Sequence, residues 1–395
     1  MKKSFIVLLA LLLVCSIPSV ALETDFSGGV GAIESSGETV MNAFLRSDLK
    51  QAPWGLGLDL NFPMPEDKKP ADLDMFVLRY AEYDDGTWGL RLGTLEDLTY
   101  GYGMVMDNYS TVVQGSTVIT NEHMGARFYT RAFPLGIHAF AARNGIFGVR
   151  LTEDFWPDLV FGKPLILGQT LVSDPDGVNV DGTIVGKGQS AIGIDAGVPL
   201  IPGSWDLYAE YGMLPDADSA DNIDAVSGMA LGTKFMVTQA IQFDFRYLTY
   251  GQGYVPGYFN SQYESSPVDL TSSENVNTES KSGWQGTLVA SLSEMITFSG
   301  TYQSFEGHDP SLSAEASANL PQGIQAAATY SQPRFASLSD LDSNNATIEV
   351  DVYYPLNGPQ VLIVHYKRVA LGGGVAETST SFEYSIDLND IGSLF

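Results

Sequence analysis

Cysteine is almost missing from this chain: Cys15 is the one thiol in 395 residues, and it lies in an apolar N-terminal stretch. The body of the protein therefore has no disulfide, thiolate nucleophile, iron–sulfur cluster or cysteine zinc site to draw on. Histidine is scarce and scattered, at His123, His138, His308 and His365. No Gly-x-Ser-x-Gly elbow, paired zinc-binding histidines or phosphate-binding glycine loop accompanies them, so the chain reads as a non-enzyme without a cofactor. Positive charge is the third deficit, with 20 Lys plus Arg against 47 Asp plus Glu and a net charge of −27. Nucleic-acid binding needs a basic surface, which excludes that class of partner. Charged residues make up only 17% of the chain, where soluble domains carry about 25%. Beyond the N-terminus there is no apolar run long enough for a membrane-spanning helix, so any insertion into lipid must use β-strands.

What is present begins with a leader. Lys2-Lys3, the apolar run Phe5 to Ile17, Pro18 and the small-residue site Ser19-Val20-Ala21 follow the order of a secretory signal peptide. The run is short for an anchor. Residues 1–21 are expected to be removed on export, taking Cys15, Lys2 and Lys3 with them, and residues 22–395 to form a single domain.

That domain shows period-two alternation almost throughout. In Gln242-Phe243-Asp244-Phe245-Arg246-Tyr247 the aromatics point one way and the polar side chains the other. Ile348, Val350, Val352 and Tyr354 alternate with Glu349, Asp351 and Tyr353, and Phe382, Tyr384, Ile386 and Leu388 with Ser381, Glu383, Ser385 and Asp387. Alternation alone fits either a soluble sandwich or a membrane barrel. Connection lengths separate the two: from residue 159 onward long and short breaks alternate, as up-and-down outer-membrane barrels require and a Greek-key sandwich does not. Candidate strands upstream fall near 24–34, 38–48, 53–62, 73–82, 86–94, 98–106, 123–131, 134–142 and 145–152, with Asn144-Gly145 as a tight turn. They bring the total to an odd number. A bacterial barrel needs an even one, so one segment within 24–110 must lie outside the wall, and 16–20 strands are expected.

In these features the chain resembles bacterial outer-membrane β-barrel proteins of the porin-like kind. The resemblance spans the whole exported chain as a pattern: leader, aromatic-bearing strands, acidic loops, and a last strand near a C-terminal Phe395. It implies an all-β, antiparallel up-and-down barrel surrounded by outer-membrane lipid, with diffusion of small polar solutes or ions through its lumen. It also implies that the barrel assembly machinery reads the C-terminal strand, although Phe395 is out of phase with Phe382 and Tyr384. A homotrimer stands open beside a monomer. Two alternatives remain: a structural or surface-interaction barrel whose lumen is closed by loop 253–281, and a secreted soluble β-protein.

Seven of the ten arginines lie between residues 46 and 150. Arginine at the bilayer midplane costs about 2–4 kcal/mol, so strand parity assigns Arg79, Arg91, Arg127, Arg131 and Arg150 to the lumen. Asp206, Glu210, Asp244, Arg246, Glu349 and Asp351 share that orientation. Such charges either orient solutes across a pore or pair with one another and stiffen the interior. Alternating aspartates in loops, Asp174, Asp176 and Asp181, then Asp216, Asp218, Asp221 and Asp224, then Asp340 and Asp342, have the oxygen-rich character of calcium sites; as plain solvated loops they need no ion. Tyr254, Tyr258, Phe259 and Tyr263 either stack on sugar rings or fold a loop inward. Finally, Leu98-Thr99-Tyr100-Gly101-Tyr102-Gly103 is echoed by Leu248-Thr249-Tyr250-Gly251-Gln252-Gly253, each before a long loop.

Overall fold

The computed structural model describes residues 23–35, 38–64, 75–112, 124–131, 135–160, 162–180, 183–185, 188–215, 226–238, 240–264, 279–292, 295–320, 324–335, 337, 346–356, 360–372 and 375–386. Twenty strands form one sheet. Each wall strand pairs antiparallel with its neighbour in sequence, from Glu23–Ser35 with Glu38–Gln51 through to Gln360–Gly372 with Val375–Ile386. The ring then closes, because Gly28, Gly29 and Val30 of the first strand pair with Ile386, Ser385 and Tyr384 of the last. Closure leaves no open edge, the condition for strands to cross lipid with every backbone group satisfied.

The candidate strand at 98–106 is not in the wall: it gives two short strands, Leu98–Tyr100 and Met106–Tyr109, in a separate small sheet inside the barrel. Twenty wall strands remain, at the top of the expected range. Every connection at one end is two to five residues long, and both chain ends of the barrel lie at that end. The opposite end carries the long connections, including 65–75, 95–123, 175–188, 215–225, 251–280 and 334–346. Two breaks that the sequence pattern places at 168–188 and 370–378 are shorter: the strand Lys163–Asp174 runs past residue 168, and two residues separate Gln360–Gly372 from Val375–Ile386.

The outer face is apolar. Trp88, Leu90 and Leu92, Trp205 and Leu207, and Met229 and Leu231 alternate with inward residues and are exposed, Leu231 to 62% and Phe382 to 70%. So continuous an exposed apolar band suits lipid and not water. The buried hydrophobic cluster lies instead within the lumen, between the wall and two inward loops. Among the described residues no helix is long and apolar enough to cross a membrane.

Candidate functional site: a lumen narrowed by two inward loops

The loop leaving Trp88–Thr94 and the loop leaving Ile241–Tyr250 turn into the barrel and build one body. Leu98–Tyr100 pairs antiparallel with Met106–Tyr109, which pairs parallel with Phe259–Asn260. The Met104 carbonyl accepts both the Tyr254 hydroxyl, at 2.7 Å, and the Gly257 N–H, at 2.9 Å. Tyr109, Tyr254, Tyr258, Phe259 and Tyr263 are fully buried in this plug. Burying each aromatic is worth roughly 1.5–3 kcal/mol, and edge-on ring pairs such as Tyr258–Phe259 and Tyr258–Tyr263 add to it. Of the two readings of the 254–263 aromatics, inward folding is the one observed.

Wall side chains hold the plug in place. Glu210, on the lumen face of Trp205–Leu214, accepts the backbone N–H groups of Tyr102, at 2.9 Å, and Met104, at 3.1 Å. The turn it grips contains Gly101 with φ of +69°, where a Cβ would lie 2.2 Å from Glu210 Oε1. Arg246 donates to the Tyr102 carbonyl at 2.8 Å. The Tyr102 ring stacks on Tyr208 with centroids 3.9 Å apart, and Tyr208 donates to Asp244 at 2.6 Å. Wall glycines leave room for this contact: a Cβ on Gly197 would lie 2.2 Å from the Tyr102 hydroxyl and one on Gly212 2.0 Å from that of Tyr254. At the loop end, Tyr263 donates to Asp174 at 2.8 Å, while Glu264 accepts from the Tyr109 hydroxyl and the Asn144 amide. Burial pushes the Glu264 carboxyl above the usual carboxylate range, and nearby Asp174 pushes the same way.

The charged residues assigned to the lumen differ in their partners. Arg79, Arg91 and Arg150 are ion-paired: Arg79 with Asp48 and Asp59, Arg91 with Glu82 at 2.9 Å, and Arg150 with Asp195 at 2.9 Å. Glu210, Asp244 and Arg246 are occupied in docking the plug, and Asp206 lies opposite Lys234 in the ladder. Arg127 faces Arg91 across the ladder and Arg131 lies over the Tyr129 ring at 5.9 Å; neither forms a salt bridge among the described residues. Glu349 pairs with Lys367 at 2.6 Å and Asp351 with His365 at 2.7 Å on adjacent rungs, all four partly open to the lumen. This wall carries Thr287 and Thr301 as well, hydroxyls 3.0 Å apart, and the exposed Glu315.

The loop aspartates do not assemble an ion site that can be described. Asp174 is buried, its Oδ1 accepting the Gly177 N–H at 2.8 Å and its Oδ2 the Tyr263 hydroxyl, so both oxygens already serve the protein. No group of three or more acidic, histidine or cysteine side chains suited to a metal occurs among the described residues, Asp176 included. Asp181, Asp216, Asp218, Asp221, Asp224, Asp340 and Asp342 lie outside the described residues, as do residues 1–21 and Phe395.

No protein-family model matches the chain, and no curated protein matches it. Solved structures with a similar course of chain include OccK5 (OpdH) of Pseudomonas aeruginosa, at 12% identity and TM-score 0.39, covering 92% of this chain and 95% of that one. OccK11 (OpdR) of the same organism has 14% identity and TM-score 0.35 over 92% of each chain. A mutant porin of Rhodopseudomonas blastica has 14% identity and TM-score 0.32, over 84% of this chain and 98% of the other. The barrel assignment rests on the closed strand pairing rather than on these likenesses.

Proposed function

We propose that the protein is a porin-like, non-catalytic channel of the bacterial outer membrane that passes small polar solutes or ions. One observation carries the reading: the plug docks mainly on wall strands between residues 124 and 250, with Phe305 also packed against its cluster, whereas the lumen face of the strands from Lys281 to Arg368 keeps a partly exposed lining of Thr287, Thr301, Glu315, Glu349, Asp351 and Lys367. Twenty strands spaced about 4.8 Å apart and tilted about 40° make a ring roughly 40 Å across between backbones. A body built from two loops on one side narrows such a ring without filling it. Solutes then pass between the plug and the hydroxyl-rich wall, and Arg127 and Arg131, without a salt bridge among the described residues, bias their charge. On this reading residues 1–21 direct export, outer-membrane lipid covers the apolar band, and the C-terminal segment ending at Phe395 engages the assembly machinery.

The inward loops also favour a second reading, a structural barrel whose lumen they close. Planar-bilayer recording of the detergent-folded protein separates the two. Stable single-channel steps support the channel, and a barrel that is folded by heat-dependent gel mobility yet gives no steps supports the closed structure.

A further inference from the structure

The lumen face of the strands Glu38–Gln51, Phe76–Asp84 and Trp88–Thr94, with the root of the first inward loop, encloses a recess of about 350 Å³ lined by Asp48, Lys50, Arg79, Tyr80, Glu82, Arg91 and Glu96. We infer that this recess binds a small zwitterion, one carrying a carboxylate and an ammonium group together, as the solute on its way through the channel.

Charge balance points to that class. Three acids and three bases line the recess, so it offers neither a bare anion nor a bare cation a net attraction, while a ligand with both charges meets both signs at short range. The floor is already internally matched. Arg79 bridges Asp48 and Asp59, Arg91 pairs with Glu82, and both guanidinium groups lie against the Tyr80 ring, at 5.4 and 4.5 Å from its centroid. The floor is therefore rigid, and two exposed groups of opposite sign remain at the rim. Lys50 forms no salt bridge among the described residues, and Glu96 accepts the Thr94 hydroxyl at 3.1 Å on one oxygen and keeps the other. Lys50 is suited to the ligand carboxylate and Glu96 to its ammonium. Apart from Tyr80 the lining is charged, which favours a short polar ligand over a greasy one.

The inference names a solute class for the proposed channel, but its test does not need conduction. Calorimetric titration of the detergent-folded barrel would use L-serine as the zwitterion, with lactate and ethanolamine as its two halves. Saturable serine binding is expected, with each half about tenfold weaker, the size of one lost charge-assisted pair. Lys50→Gln and Glu96→Gln, both at exposed positions, should each weaken serine by a similar factor while leaving gel mobility unchanged. Lactate or ethanolamine binding as tightly as serine would overturn the inference, as would no serine binding, or serine binding indifferent to both substitutions. Conductance without serine binding counts against the recess alone, and serine binding without conductance counts against the channel alone.

Discussion

Glu210→Ala is expected to release the plug while leaving the barrel standing. Glu210 is 2% exposed and takes the backbone N–H groups of Tyr102 and Met104 on one oxygen. A buried backbone N–H left without an acceptor costs about 1–3 kcal/mol, so the substitution removes about 2–6 kcal/mol of docking energy if the two add fully. That is a factor on the order of 10 to 10⁴ in the equilibrium between docked and released loop. The remaining contacts do not replace it: Arg246 holds the Tyr102 carbonyl, and the Tyr102–Tyr208 stack is worth only about 0.5–1.5 kcal/mol beyond its buried area. The wall around Glu210 stays intact, because its ladder partners Asp195 and Ala230 are joined through backbone bonds.

Hydrogen-exchange mass spectrometry on residues 95–112 should therefore show exchange faster by orders of magnitude in Glu210→Ala, with wall peptides such as 226–238 unchanged. Single-channel records should show a larger or noisier conductance. Glu210→Gln keeps one acceptor oxygen and should fall between. If a folded Glu210→Ala barrel exchanged residues 95–112 at the original rate, the carboxylate would not be what holds the turn, and the account of the constriction would fail.

Three further outcomes follow from the same geometry. Burial, the largest cause, and Asp174 raise the Glu264 carboxyl above its ordinary 4.5, against the pull of Tyr109 and Asn144; the docked loop then binds its proton more tightly than the released one. Docking of residues 251–264 should be strongest below the ordinary value and weaken as pH rises through the raised one, and exchange measured across that window should lose the dependence in Glu264→Gln. Breaking the Arg150–Asp195 pair with Asp195→Ala should cost about 3–5 kcal/mol in urea unfolding from detergent, whereas replacing both residues by Met and Leu should cost much less; equal costs would refute a buried-pair role. Replacing Arg127 and Arg131 with Ser should shift reversal potentials toward cations at every salt concentration, whereas replacing Asp216 and Asp218 should matter only at low salt, where the Debye length is long; a preference indifferent to both pairs would remove these charges from the conducting path.

Much of the wall was legible because each strand repeats a single rule, apolar outward and polar inward, and because an even strand count is enforced by closure. Residues 98–106 defeated that rule. Leu98 and Tyr100 are buried and Thr99 exposed, the same alternation a wall strand shows, and period two cannot tell a ladder in the wall from one within the lumen. A signal was nevertheless present. Gly193, Gly197, Gly212 and Gly228 occupy inward positions on three consecutive wall strands, where a side chain would collide with Val105, Tyr102 or Tyr254. A run of inward glycines marks where another body presses against the wall. Ion pairing was hidden for a different reason: Arg46 with Asp59, Arg91 with Glu82 and Arg150 with Asp195 depend on cross-strand register and side-chain reach, which the sequence pattern leaves open.

Those pairings change what the chain's charge of −27 means for the lumen. Asp48, Asp59, Glu82 and Asp195 are spent on arginines, Glu210 on backbone N–H groups, and Asp244 and Asp174 on tyrosine hydroxyls. Glu349 and Asp351 face the interior beside Lys367 and His365. Arg127 and Arg131, which form no salt bridge among the described residues, adjoin the strand Leu135–Ala142, whose Phe140 packs against the plug residues Tyr100 and Tyr109. Much of the remaining acid excess belongs to the long connections at one end, where water and salt screen it. On the proposed channel reading, Arg127 and Arg131 are the charges to test first beside the plug, because charge acts most strongly where low-dielectric walls surround it.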